Sequence, residues 1–87
     1  MPGNIPEDLD QQIKQIIAKA ILKSTDDLKP ETNFFKDLGV DSIKAIEIVV
    51  ALERNFQISI RDEQVSQIET FGQAVELVQK ALEKKKG

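Results

Sequence analysis

Apolar residues recur at intervals of three and four along three stretches of this 87-residue chain, and nowhere do they alternate in the two-residue rhythm of a strand. That spacing dictates amphipathic helices, each of which must hide one face against another. Leu9, Ile13, Ile16, Ile17, Ala20 and Ile21 predict a first helix of about four turns. Asn4 and Glu7 read as its capping box, with Pro6 tolerated in the opening turn. A second helix opens at Asp41 or Ser42 and runs to about Asn55. Thr70 with Gln73 forms another capping box, ahead of Phe71, Ala74, Val75, Val78, Ala81 and Leu82 at helical spacing. Between the second and last helices, Ile58 and Ile60 anchor the chain, and Arg61 to Gln67 predicts a minor helix of one or two turns.

Ser24 to Asp41 reads as a long polar connection punctuated by Pro30 and Gly39, and loops of that length in small domains are often functional. Leu28, Phe34, Phe35 and Leu38 are expected to pin it to the core. The expected fold is therefore all-α: a small bundle of three main helices plus one short helix, with a long loop between the first and second. Residues 1–87 are expected to form a single domain, with ends fraying over about 1–4 and 84–87.

Composition removes whole classes of chemistry. There is no cysteine and no histidine, so disulfides, thiolate metal sites and a structural zinc are excluded; no metal is expected. A formal charge of −3, with neither tyrosine nor tryptophan to stack on bases, argues against nucleic acid as a partner. The basic end, Lys84-Lys85-Lys86, reads as a solvated helix terminus favoured by the helix dipole rather than a phosphate or membrane contact. The longest apolar run, Ile48 to Leu52, is far too short to span a bilayer, and Pro2 to Asp10 is polar where a signal peptide would be apolar. The expectation is a cytoplasmic monomer without stable membrane insertion. The Met1 start and the lysine-rich end favour a free-standing chain.

The second helix is apolar on two sides. Counting 100° per residue from Ser42, Ala45, Ile48, Val49, Leu52 and Phe56 fall between about 240° and 340° and face the core. Ile43, Ile46 and Val50 form a separate stripe near about 100°, 40° and 80°, beginning beside Ser42. Together the two faces exceed what one core surface covers, so a loop, a ligand or a partner must meet the stripe, or else the short third helix packs on it. Glu47, Glu53 and Arg54 would rim the stripe with charge, as a docking surface requires.

Ser42 stands at the mouth of this helix with no base to activate it, since a catalytic serine needs a proton acceptor and the chain has no histidine. The plain reading of Asp41-Ser42 is a helix cap, yet a cap needs one such residue and here there are two. If Asp41 caps, the Ser42 hydroxyl is left for solvent, and a phosphate attached to it would lie against free N–H groups at the positive end of the helix dipole. Gly39 supplies the preceding turn and leaves the approach to Ser42 uncrowded. No catalytic residue is expected in the chain, because its carboxylates are scattered with no evident pairing in a cleft.

The run Asp37-Leu38-Gly39-Val40-Asp41-Ser42-Ile43, followed by Glu47, Leu52, Glu53 and Phe56, resembles the acyl carrier proteins of fatty-acid and polyketide synthesis. The likeness extends over nearly the whole chain. It implies that Ser42 is esterified with 4′-phosphopantetheine from coenzyme A by a phosphopantetheinyl transferase, and that acyl groups ride as thioesters on the thiol of that arm. The missing cysteine and the missing base would then be supplied from outside. Asp41 would be read by the transferase, and Ile43, Lys44, Ile46, Glu47, Val50 and Arg54 occupy the family's partner-docking face, met by acyl-loading, condensing or acyltransferase enzymes. The core behind the second helix would open to shelter the acyl chain. Lys44 and Arg54 depart from the strongly acidic second helix of general fatty-acid carriers, which points to a specialised or polyketide-like carrier with its own partners. Val40, where peptidyl carriers often have a second glycine, argues against an amino-acid cargo. The alternatives are a peptidyl carrier, or an unmodified helical interaction module in which Ser42 only caps.

Overall fold

Leu9, Ile13, Ile17 and Ile21 stand four residues apart on one line of a helix, and all four are buried. They define α1, Leu9–Ile21, in a computed structural model that describes residues 8–86; the Asn4–Glu7 box and the expected fraying of 1–4 lie outside the described residues. After α1 come a 3-10 turn at Thr25–Asp27, then α2 (Ser42–Phe56), α3 (Asp62–Val65) and α4 (Phe71–Lys86). Three helices exceed seven residues, α3 is a single turn, and the described residues contain no strand, only an isolated antiparallel bridge between Asn33 and Thr70.

The core is the meeting of the predicted faces. From α2 come Ile48, Val49 and Leu52, with Ala45 and Phe56 packed at its edge; from α4 come Phe71, Ala74, Val75 and Val78. Ile58, Ile60 and Ile68 fill the space beside α3. Full burial of each of the larger side chains, Val, Leu, Ile or Phe, contributes about 1.5–3 kcal/mol.

The helix ends follow local chemistry. Gln73 N–H donates to Thr70 Oγ1 (3.2 Å) while Thr70 N–H donates back to Gln73 Oε1 (2.9 Å), the capping box expected of α4. α1 and α2 end in left-handed residues that are not glycine, Leu22 (φ 58°) and Gln57 (φ 54°), whose N–H groups donate to Ala18 and Glu53 carbonyls. α3 is shorter than Arg61–Gln67 because three-residue closures, Gln67 N–H to Gln64 O and Ile68 N–H to Val65 O (both 3.1 Å), tighten the chain out of the α-helical path.

The stretch 24–41, expected as one long loop, is broken into tied turns. Ser24 Oγ caps the 3-10 turn by accepting from Asp26 N–H (3.1 Å). The buried Thr32 hydroxyl accepts from Lys29 N–H (2.9 Å) and donates to the Asp27 carbonyl (3.1 Å), closing the next bend. Asn33 Oδ1 accepts from Phe35 and Lys36 N–H groups, and Asp37 Oδ2 accepts from Asn33 N–H. Three backbone bonds then fasten the segment to the start of α4: Gly72 N–H to Pro30 O (3.0 Å), Phe71 N–H to Thr32 O (3.0 Å) and Phe34 N–H to Glu69 O (2.8 Å). A Cβ on Gly72 would stand 3.0 Å from the Pro30 carbonyl oxygen, so glycine permits the close approach.

Of the four expected anchors, Leu28 and Phe34 are fully buried and Leu38 is partly so, but Phe35 is 42% exposed. The Asn33 turn buries Phe34 and leaves Phe35 at the edge of the core. Val40 takes up the anchoring role, buried and bonded through its N–H to the Phe34 carbonyl (2.9 Å).

Candidate functional site

The mouth of α2 is shaped by four consecutive residues with separate tasks. Gly39 turns the chain at φ 67°, and a Cβ there would meet nothing within 4 Å, so its requirement is conformational rather than steric. Val40 fixes the turn to the core. Asp41, extended at φ −98° and ψ −177°, caps α2: its Oδ1 accepts from Lys44 N–H (2.9 Å) and its carbonyl from Ala45 N–H (2.9 Å).

Ser42 is thereby the first helical residue. Its side chain is exposed, and its hydroxyl makes no hydrogen bond to any described residue. The amides of Ser42 and Ile43 likewise donate to no described residue, leaving open donors at the positive end of a 15-residue helix.

Along the outer side of α2, Ile43 (67% exposed), Ile46 (56%) and Val50 (38%) remain uncovered. α3 does not pack over them. Lys44 Nζ lies 3.4 Å from Glu47 Oε1, a one-turn pair on the same helix. Arg54 is exposed and has no ion-pair partner among the described residues. The seven docking residues read from the sequence thus share one helix and its mouth, over about 18 Å from Ser42 to Arg54 at 1.5 Å per residue.

Glu53 does not join the rim. Its Oε2 accepts from Ile60 N–H (2.8 Å), stapling the segment after α2 to the helix. At about 20° it lies at the border of the core face, where a half-buried carboxylate finds an open backbone donor before it finds solvent.

Beside α2, Phe35 lines a cleft with Phe34, Ala45, Ile48, Val49, Val65 and Ile68 whose open volume is about 10 Å³, space for a single water. The core behind α2, expected to open around an acyl chain, is in this structure a nearly closed apolar seam. Phe35 was not legible as a lining residue, because nothing in the sequence distinguishes it from Phe34. Among the described residues no helix is long and apolar enough to cross a membrane, and no group of three or more acidic side chains is gathered to hold a metal ion.

A sequence model of the family described as "phosphopantetheine attachment site" matches residues 11–78, from the first turn of α1 through the whole of α2 and α3 into the middle of α4. That family carries 4′-phosphopantetheine covalently, and its carrier domains are in general non-catalytic partners of phosphopantetheinyl transferases and synthase enzymes. The mouth of α2 fits a phosphodiester, with a free exposed hydroxyl and two open amides beside it. With its four helices, unassisted serine and match over most of its length, the chain belongs to the phosphopantetheine attachment site family, as an acyl-carrier-like protein that bears this prosthetic group.

Proposed function

We propose that Ser42 is the residue that bears the prosthetic group, and that the chain holds acyl intermediates of fatty-acid, lipid or polyketide synthesis for other enzymes. The observation that carries this reading is the division of labour at α2: Asp41 does the capping, so the Ser42 hydroxyl is spare, exposed and unbonded. Ser42 Oγ forms the new bond to phosphorus as coenzyme A releases adenosine 3′,5′-bisphosphate, and its proton passes to a base of the transferase, since this chain offers no histidine. The open amides of Ser42 and Ile43 stabilise the resulting phosphodiester charge. When bound, the group supplies a terminal thiol able to hold acyl chains as thioesters.

In this reading the chain is not an enzyme. Asp41 and Gly39 set the approach to Ser42, and Ile43, Lys44, Ile46, Glu47, Val50 and Arg54 present the carrier to its transferase and to acyl-loading, condensing or acyltransferase enzymes. The mixed charges of α2 favour a specialised pathway over general fatty-acid synthesis. The test is intact-protein mass after incubation with coenzyme A and a permissive transferase. One phosphopantetheinyl group is expected on the wild type and none on Ser42→Ala; an unmodified wild type would leave α2 as the face of a plain interaction module, and a modified alanine variant would put the group on another residue.

A further inference from the structure

Residues 61–68, which contain α3, are hydrogen-bonded only to themselves among the described residues. Their bonded amides are taken up by the Arg61, Asp62, Gln64 and Val65 carbonyls, the Arg61 amide by Gln64 Oε1 and the Ser66 hydroxyl by the Glu63 carbonyl. The fixed points lie just outside. On one side Glu53 Oε2 accepts from the Ile60 amide (2.8 Å). On the other, Gln73 Oε1 accepts from the Glu69 amide and the Glu69 carbonyl from Phe34 N–H (both 2.8 Å). The segment can therefore turn as a unit between two posts without breaking a hydrogen bond, and the apolar contacts of Val65 and Ile68 are what hold it to the core.

Two unlike spaces flank it. In front, Val65 and Ile68 wall the seam beside α2, whose open volume is about 10 Å³. Behind, Gln64, Gln67 and Ile68 face Glu76, Leu77 and Lys80 of α4 across a groove of about 200 Å³. Ile68 is the partition between them.

Resting on the carrier reading, we propose that 61–68 is a movable wall: it shifts toward α4, closing the groove behind it and opening the seam in front to the apolar part of a cargo tethered at Ser42. The resemblance implies only that the core opens; the spare volume behind α3 supplies the moving part and its direction. The other walls are fixed. Ile48 and Val49 are buried in a 15-residue helix, and Phe34 is moored through its amide to Glu69. Ala45, at the rim of the seam, stands one turn along α2 from Ser42, about 4.5 Å of helix axis, within reach of an arm attached there. As the wall moves, Val65 and Ile68 exchange contact with α2 for contact with the chain, so their apolar surface stays out of water. The amides of Gln64 and Gln67 approach a carboxylate and an ammonium on α4, to which they can donate and from which they can accept.

The test uses the full-length protein loaded by a permissive transferase with octanoyl- or acetyl-phosphopantetheine, the long and short probes. Glu76→Trp sets a bulky side chain in the groove from an exposed position on α4; Glu83→Trp adds the same bulk about two turns further along that helix, outside the groove. Loading of all three proteins should be equal, since neither substitution touches α2. In the wild type and Glu83→Trp the octanoyl form should melt at least about 4 °C above the acetyl form, and in Glu76→Trp less than half of that difference should remain. Nuclear Overhauser contacts in the wild-type octanoyl form should join the chain to the Val65 and Ile68 methyl groups, with Gln67 newly close to Leu77. A full melting difference in Glu76→Trp, none in the wild type, or a chain held by Val65 and Ile68 while Gln67 stays away from Leu77 would each overturn the moving wall and leave the carrier reading intact. A wild type that takes up neither probe would remove the carrier reading and the moving wall with it.

Discussion

Replacing Ile46 by glutamate separates packing from docking. Ile46 is 56% exposed, so less than half of the roughly 1.5–3 kcal/mol available from burying an isoleucine is at stake, about 1 kcal/mol at most. Glutamate is a slightly better helix former than isoleucine by a few tenths of a kcal/mol, which offsets part of that loss. For a chain of this size 1 kcal/mol moves Tm by about 4–8 °C, so a fall of no more than about 6 °C is expected by thermal circular dichroism. Docking should suffer far more, because the new carboxylate would enter the centre of an apolar contact without a partner, and desolvating it costs several kcal/mol unless the partner retreats. KM for modification by a permissive transferase should rise at least tenfold with kcat little changed. Leu52→Ala, at a side chain with no exposed surface on the opposite side of the same helix, provides the contrast: about 2–5 kcal/mol lost and a Tm lowered by 10 °C or more. An Ile46→Glu protein that melts like Leu52→Ala would show that the stripe is core and would refute the two-faced description of α2.

Two backbone substitutions probe the turns. Gly39→Ala meets no steric obstacle, yet it places a Cβ at φ 67°; the left-handed cost of about 1–2 kcal/mol exceeds the gain of about 0.4–1 kcal/mol from a less flexible unfolded chain, so urea denaturation should show a net loss of about 0.5–1 kcal/mol. Gln57→Gly acts in the opposite sense, relieving a left-handed non-glycine residue at the end of α2, and should stabilise by up to about 1 kcal/mol in the same assay; a loss there would mean that the Gln57 side chain contributes contacts larger than the backbone relief.

The sequence states the three main helices plainly because each is written as a 3–4 repeat, whereas the ends of α1 and α2, at Leu22 and Gln57, carry no glycine to announce them. Thr70 and Gln73 announce α4, and the angular split on α2 separates Ile48, Val49 and Leu52 from Ile43, Ile46 and Val50, a split that the burial of the first set and the exposure of the second reproduce. The geometry of the candidate site was legible to the same extent, because the cap, the spare hydroxyl and the exposed apolar stripe all lie on or next to one continuous helix. Features built from distant partners were not. Glu53 turned inward because an amide seven residues later was within reach, which no helical wheel records. Phe35 lies at the surface beside Asn33, whose Oδ1 accepts its amide, and Thr32 is buried with its hydroxyl joining the Lys29 amide to the Asp27 carbonyl. The seam beside α2 depends on side chains from three separate segments, so its width follows from packing that no single stretch encodes.

The fastening of residues 30–34 to the start of α4 is made of main-chain groups: Pro30, Thr32 and Phe34 on one side, Glu69, Phe71 and Gly72 on the other. Because peptide amides and carbonyls are common to all residues except proline's missing N–H, these bonds constrain side chains only where they are buried, at Thr32, Phe34 and Phe71, or where a Cβ would be squeezed, at Gly72. The exposed positions of the segment, Glu31, Phe35 and Lys36 among them, can consequently change without loosening it, while Phe34 and Val40 keep handing the mouth of α2 to solvent at the same place. The position of the helix mouth thus rests on peptide groups and two buried side chains, and owes nothing to the outward residues of the segment.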